Sequence, residues 1–134
     1  MKWLAAYAAT AATMLVLDLL WIGWLARPLY LQGIGHLMAE RPNAPVAAVF
    51  YLVYATGLIV FALGPNEATP GFGRAAVTGA LFGLFAYATY DLTNLATLRD
   101  WPTGLALLDM AWGCALSAAS TVAGKAVLDR LGGA

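Results

Sequence analysis

The chain has 134 residues, of which 62% are hydrophobic and 10% are charged, and its seven basic and seven acidic residues leave no net charge. Soluble domains carry about 25% charged residues, and a soluble fold of this size could not bury so much apolar surface, so we expect a lipid bilayer as the solvent and partner. Nucleic-acid binding has no support without a basic block, and one cysteine, Cys114, allows neither a disulfide framework nor a Cys/His metal motif.

Four apolar stretches are long enough to cross a hydrocarbon core, which takes about 20 helical residues. They cover about residues 3–25, 44–63, 75–98 and 103–127. Asn43 is the predicted N-cap of the second span, with Pro45 in its first turn. The pattern predicts an all-α membrane protein, a four-helix transmembrane bundle that forms a single domain over residues 1–134.

The first span resembles a signal peptide only in that Lys2 precedes an apolar run. It is too long for a signal h-region and has no small-residue cleavage site after it, so we expect it to be retained. Arg27-Pro28 ends this span, and "RPLYLQGIGHLMAERPNAP" follows. This short segment is either an interfacial helix along the membrane surface or an irregular loop broken by Gly33 and Gly35.

Basic residues indicate an orientation. Four spans place the two termini and the loop at residues 64–74 on one side, with four basic residues against three on the other side. The positive-inside rule then favours two cytoplasmic termini. The four are Lys2, Arg74, Lys125 and Arg130, and the three are Arg27, Arg41 and Arg99.

Three aspartates lie inside the spans, and counting places them at one depth. Asp18 lies seven residues before the end of the first span, Asp91 seven before the end of the third, and Asp109 seven after Pro102. At 1.5 Å per residue, each lies roughly 10 Å below the membrane face that carries residues 26–44. Tyr51 and Tyr54 of the second span lie at a similar depth, so the sequence predicts one polar layer.

This layer is the predicted site. A charged side chain at mid-bilayer costs at least about 2.5–3.5 kcal/mol, and several carboxylates in one layer require either a protonated member or a shared cation. We therefore expect a binding site with no cofactor and no dedicated metal motif. The alternative is a sealed polar knot that only fixes the helix register. The predicted binding residues are Asp18, Asp91, Asn94, Asp109, Tyr54, Tyr90, Trp21 and Trp112.

Four blocks, "LDLLWIGWLARPLY", "GHLMAERPN", "YATYDLTNLATLRDWP" and "DMAWG", together resemble a bacterial family of small predicted integral-membrane proteins classed as a domain of unknown function. The resemblance runs from Asp18 to about Gly113. It implies the membrane class and the fold, and it implies no activity. The residues that match its motifs are Asp18, Trp21, Pro28, Tyr30, His36, Arg41, Pro42, Tyr90, Asp91, Thr93, Asn94, Asp109, Trp112 and Gly113.

Three functions fit these observations. The first is a proton- or cation-linked small-solute transporter or binding protein, which four helices would best build as a homodimer. The second is an accessory subunit of a larger membrane complex, with the aspartates sealed in a knot. The third is a membrane enzyme acting on lipid substrates, with an aspartate as general acid or base or with carboxylates and Asn94 around a magnesium-type ion. A water-accessible cavity at the aspartates would favour the first, and a lateral opening to lipid the third.

Overall fold

The computed structural model describes residues 1–132 and is helical throughout its spans, with no strand in that range. Helix α1 covers Lys2–Leu20 and continues as a π-helical segment, Trp21–Leu25; α2 covers Arg27–Ile34 and is followed by a 3-10 turn, Gly35–Leu37. Helix α3 covers Ala44–Gly57 and continues through the π-helical segment Leu58–Leu63 and the 3-10 turn Gly64–Asn66. Helices α4 and α5 cover Gly73–Thr97 and Thr103–Gly132.

Four of these helical stretches are long and apolar enough to cross a membrane, which confirms the predicted four-helix all-α fold. The N-cap is also confirmed, since Oδ1 of Asn43 accepts a hydrogen bond from the Val46 N–H at 3.2 Å. The fourth helix runs five residues beyond the predicted end at 127. An ion pair between Lys125 and Asp129, one turn apart, stabilises its last turns at an N–O distance of 2.6 Å.

Small residues set the closest helix packing. Helices α4 and α5 pack along their lengths, and α1 packs on α5. A Cβ atom added at Gly79 would lie 2.8 Å from the backbone oxygen of Ser117, and one added at Gly83 would lie 2.6 Å from the Ser117 hydroxyl. The stripe of glycine and serine on these two helices therefore faces the bundle interior, as expected for a small-residue membrane interface.

The distance between the third span and α4 changes along the span. Helix α3 packs against α1, whereas the closest backbone approach to α4 is made by the following segment, Leu58–Leu63. The two helices therefore separate toward the membrane face that carries residues 26–44. Side chains, rather than backbone, occupy the space between them at this end.

Helix α2 folds back onto the bundle. The Ala26 N–H donates to the Trp21 carbonyl at 2.7 Å and closes the π-helical segment, after which Pro28 lies in the first turn of α2. Gly33 packs against Pro102 and Leu105 near the start of α5. Of the two alternatives for this segment, the helix is confirmed for Arg27–Ile34, and residues 38–43 are not helical.

Candidate functional site

A cavity of about 470 Å³ lies between the helices, beneath α2, and all three intramembrane aspartates line it. Its volume is within the range of small-molecule sites, about 300–1,000 Å³. Every transmembrane helix and α2 contribute to its wall. The lining residues are Asp18, Ile22, Tyr30, Ile34, Met38, Phe50, Tyr54, Ala86, Tyr87, Tyr90, Asp91, Trp101, Leu105 and Asp109.

Both carboxylate oxygens of Asp18 accept hydrogen bonds from other side chains of the protein. Its side chain is 4% exposed. The Tyr51 hydroxyl donates to Oδ2 at 2.5 Å, and the Trp112 indole N–H donates to Oδ1 at 3.0 Å. Each carboxylate oxygen thus has a donor from a different helix, so Asp18 connects α1 with α3 and α5.

Asp109 is held by the returning helix α2. The Tyr30 hydroxyl donates to its Oδ1 at 2.6 Å and accepts from the Trp21 indole N–H at 3.0 Å. Burial, reinforced by the hydrogen bond to Asp109, raises the pKa of Tyr30 above the usual 10.0. Tyr30 therefore remains a neutral phenol that donates to the carboxylate.

Trp21 and Trp112 stack face to face, with ring centroids 4.5 Å apart and planes 6° apart. Each indole N–H is directed at a different member of the polar layer, one at Tyr30 and the other at Asp18. The pair therefore holds the aspartate-bearing helices in register from behind the cavity wall.

Asp91 differs from the other two aspartates. It is 1% exposed, and its buried Oδ2 atom has no hydrogen-bond partner among residues 1–132. It lies beside Asp109. Buried polar atoms are nearly always hydrogen-bonded, so the carboxyl of Asp91, which lines the cavity, needs a donor from a ligand, from water or from a proton shared with Asp109.

Aromatic side chains form the wall toward the gap between α3 and α4. Tyr54 is anchored by a hydrogen bond to the Ser117 hydroxyl at 2.7 Å, and its ring meets Tyr87 edge-on at 6.1 Å. Tyr90 meets Trp101 edge-on at 5.8 Å. The buried indole N–H of Trp101 also has no partner in the described range. The wall is thus aromatic, and its buried polar atoms without a partner are the indole N–H of Trp101, a donor, and Oδ2 of Asp91, an acceptor.

Five of the eight predicted binding residues line the cavity: Asp18, Asp91, Asp109, Tyr54 and Tyr90. Trp21 and Trp112 do not line it, and their indole N–H groups donate to Tyr30 and Asp18.

The structure does not bring Asn94, also a predicted binding residue, to the cavity. Asn94 is half-buried, does not line the cavity, and makes no side-chain hydrogen bond within residues 1–132. Three residues rotate a helix by about 300° and advance it by about 4.5 Å, so Asn94 lies nearer the membrane face than Asp91. Across residues 1–132, no three His, Cys, Asp or Glu side chains are grouped so as to hold a metal ion.

Tyr30 is the contact that the sequence did not predict. The sequence predicts Tyr30 in a segment at the membrane surface, yet it is 7% exposed and its hydroxyl donates to Asp109. Arg27-Pro28 predicts the end of a helix, but proline is also favoured in the first turn of a new helix. Proline followed two positions later by an aromatic residue is the pattern that could indicate such a returning helix.

Comparison with known proteins identifies one family. A family model described as "Predicted membrane protein (DUF2177)" matches residues 3–126. No curated protein and no solved structure matches the chain.

Proposed function

The chain belongs to this family of predicted membrane proteins, and we propose that it binds a small solute in the aspartate cavity as a proton- or cation-linked transporter or binding protein. One observation carries this proposal. Three buried aspartates on three helices line one cavity, and no lysine, arginine or histidine lines it with them. Negative charge in a low-dielectric site favours the uptake of a proton or another cation.

The state of Asp91 argues against an accessory role in which the polar layer is only a knot. In such a knot each buried polar atom would have a protein partner. Asp18 meets that description, with a donor on each oxygen. Asp91 does not, because its buried Oδ2 atom has no partner in the described chain and the residue lines a cavity.

The composition of the cavity argues against a lipid-modifying enzyme that uses a serine or cysteine nucleophile. Its reactive groups are carboxyls and phenols, and nucleophilic catalysis would call for a nucleophile beside a base. The single histidine, His36, is exposed in the 3-10 turn and does not line the cavity.

The proposal extends to setting and assembly. We place the protein in a bacterial inner membrane with both termini in the cytoplasm, so the cavity lies nearer the opposite face. Four helices form a thin wall around a pathway, which favours a homodimer or a larger complex. Exposed apolar side chains on α3, among them Val49, Leu52 and Val53, can face lipid or a second copy.

Cysteine accessibility tests whether solutes reach the cavity. In a Cys114→Ala background, Leu105→Cys places a thiol on the cavity wall, Leu58→Cys places one in the fully buried core, and Val53→Cys places one on the exposed apolar surface. The probe is a cationic, membrane-impermeant methanethiosulfonate applied to the protein in lipid nanodiscs.

We expect the thiol at position 105 to react with the reagent. The thiol at position 58 should react much more slowly because it is buried, and the thiol at position 53 because it faces lipid. Equal inertness at 105 and 58 would mean that the cavity is sealed. The accessory role would then be the better account.

A further inference from the structure

We propose that the ligand is a lipophilic organic ammonium ion, whose N–H groups donate to Asp91 and Asp109 and whose apolar body lies against the aromatic wall. This inference rests on the proposed function and specifies its substrate class. Four features of the cavity support it: its charge, its unpartnered atoms, its wall and its size.

The charge of the cavity selects a cation. Asp18, Asp91 and Asp109 are its ionisable acids, and no basic side chain lines it. Asp18 already has two donors, which leaves Asp91 and Asp109 to meet a ligand. An anion would be repelled here, and a neutral molecule would leave two neighbouring carboxyls without a counter-charge.

The unpartnered atoms select a hydrogen-bond donor. Oδ2 of Asp91 is buried and has no partner, while Tyr30 occupies Oδ1 of Asp109 and no described residue donates to Oδ2 of Asp109. An ammonium group carries several N–H donors on one positive centre and can satisfy both carboxyls together. The unpartnered indole N–H of Trp101 would in addition serve an oxygen acceptor on the ligand body.

The wall and the volume select an organic cation over a metal ion. Phe50, Tyr87, Tyr90 and Trp101 line the cavity, and aromatic faces attract ammonium ions by cation–π interaction. The volume of about 470 Å³ exceeds what a single ion needs. The described residues also offer no group of three ligands for a metal.

A proton competes with this ligand for the same carboxyls. Among the residues that line the cavity, Asp18 from α1 is the one other charged group beside Asp91 and Asp109. The remaining titratable groups are phenols: Tyr30 from α2, Tyr54 from α3, and Tyr87 and Tyr90 from α4. This competition is the proposed basis of proton linkage.

Three probes that share an apolar phenyl-alkyl body and differ in the charge of the head group test whether the cavity requires a cation. Phenylbutylamine, phenylbutanol and phenylbutyrate are titrated into protein in nanodiscs by calorimetry, with empty nanodiscs as the blank. The variants are Asp91→Asn, which keeps the shape of the carboxyl, and Ala86→Leu, which adds apolar volume inside the cavity. Asp100→Asn is the matched control, since it makes the same change at an exposed loop position with a φ of 61°, which asparagine tolerates. Circular dichroism and gel filtration check the fold of each variant.

We expect the amine to bind at least about tenfold more tightly than the alcohol and the carboxylate. Asp91→Asn and Ala86→Leu should weaken it by a similar factor, and Asp100→Asn should not. If the alcohol binds as well as the amine and Asp91→Asn changes nothing while Ala86→Leu weakens both, the cavity takes a solute but the ammonium class is wrong. If no probe binds in a way that Ala86→Leu alters, the ligand class is overturned, and the thiol labelling at position 105 then decides the proposed function separately.

Discussion

The hydrogen bond between Tyr51 and Asp18 should be a measurable source of stability that connects α1 with α3. Tyr51→Phe removes only the hydroxyl, which lies 2.5 Å from Oδ2 of Asp18, and Asp18→Asn removes the carboxylate. Hydrogen bonds to charged groups contribute about 1.5–3 kcal/mol in soluble proteins. Hydrogen bonds within membranes average about 0.6 and reach about 1.7 kcal/mol, because the unfolded chain also finds partners in the bilayer.

This bond is short, buried and made to a carboxylate, so its coupling energy should lie near the upper end, about 1–2 kcal/mol. The assay is reversible unfolding in mixed micelles of rising denaturing-detergent fraction, followed by circular dichroism, for the two single variants and the double variant.

Tyr7→Phe provides the matched control. The Tyr7 hydroxyl also joins α1 to α3, donating to the Leu52 carbonyl at 2.6 Å, but it does not touch Asp18. Its combination with Asp18→Asn should be additive within about 0.5 kcal/mol. Additive losses for Tyr51→Phe with Asp18→Asn would refute the assignment of Asp18 as a structural connection.

The remaining predictions concern Tyr30 and the packing glycines. Because folding raises the pKa of Tyr30 above 10.0, the stability that its neutral form contributes is present below pH 10 and is lost as the pH rises above it. Tyr30→Phe should therefore reduce the alkaline loss of unfolding free energy by up to about 1.4 kcal/mol per pH unit, and an unchanged slope would count against a buried phenol. Gly83→Ala would place a Cβ atom 2.6 Å from the Ser117 hydroxyl and should cost about 1–3 kcal/mol in the same unfolding assay. Gly104→Ala meets nothing within 4 Å and should be neutral or slightly stabilising, so equal effects at the two glycines would contradict the close packing of α4 on α5.

The depth of the aspartates could be predicted because a helix rises by a fixed amount per residue. Counting from the span ends placed Asp18, Asp91 and Asp109 in one layer, and all three line one cavity. Small residues in the same helices mark the faces that turn inward, as the packing of Gly79 and Gly83 on α5 shows. Both inferences use only the regular geometry of a helix.

The partners of the aspartates could not be predicted in this way, because they depend on where the chain departs from a regular helix. The π-helical segment Trp21–Leu25 changes the direction of the chain and returns α2 to the bundle, which brings Tyr30 to Asp109. Nothing in the apolar pattern marks that segment. Asn94 differs in the opposite direction, since it follows Asp91 by one helical turn and is a predicted binding residue but lies outside the cavity.

Infrared spectroscopy of the aspartate carboxyls tests the central claim, that Asp91 is the contact for a ligand while Asp18 is structural. Protein with isotope-labelled aspartate, in lipid, is compared with and without phenylbutylamine. We predict a difference spectrum that loses its Asp91 component in Asp91→Asn, so that only the contribution of Asp109 remains, and that is unchanged in Asp100→Asn and in Asp18→Asn wherever that variant folds. A spectrum that phenylbutylamine leaves unchanged, or a difference spectrum that is the same in Asp91→Asn as in the wild type, would contradict the account.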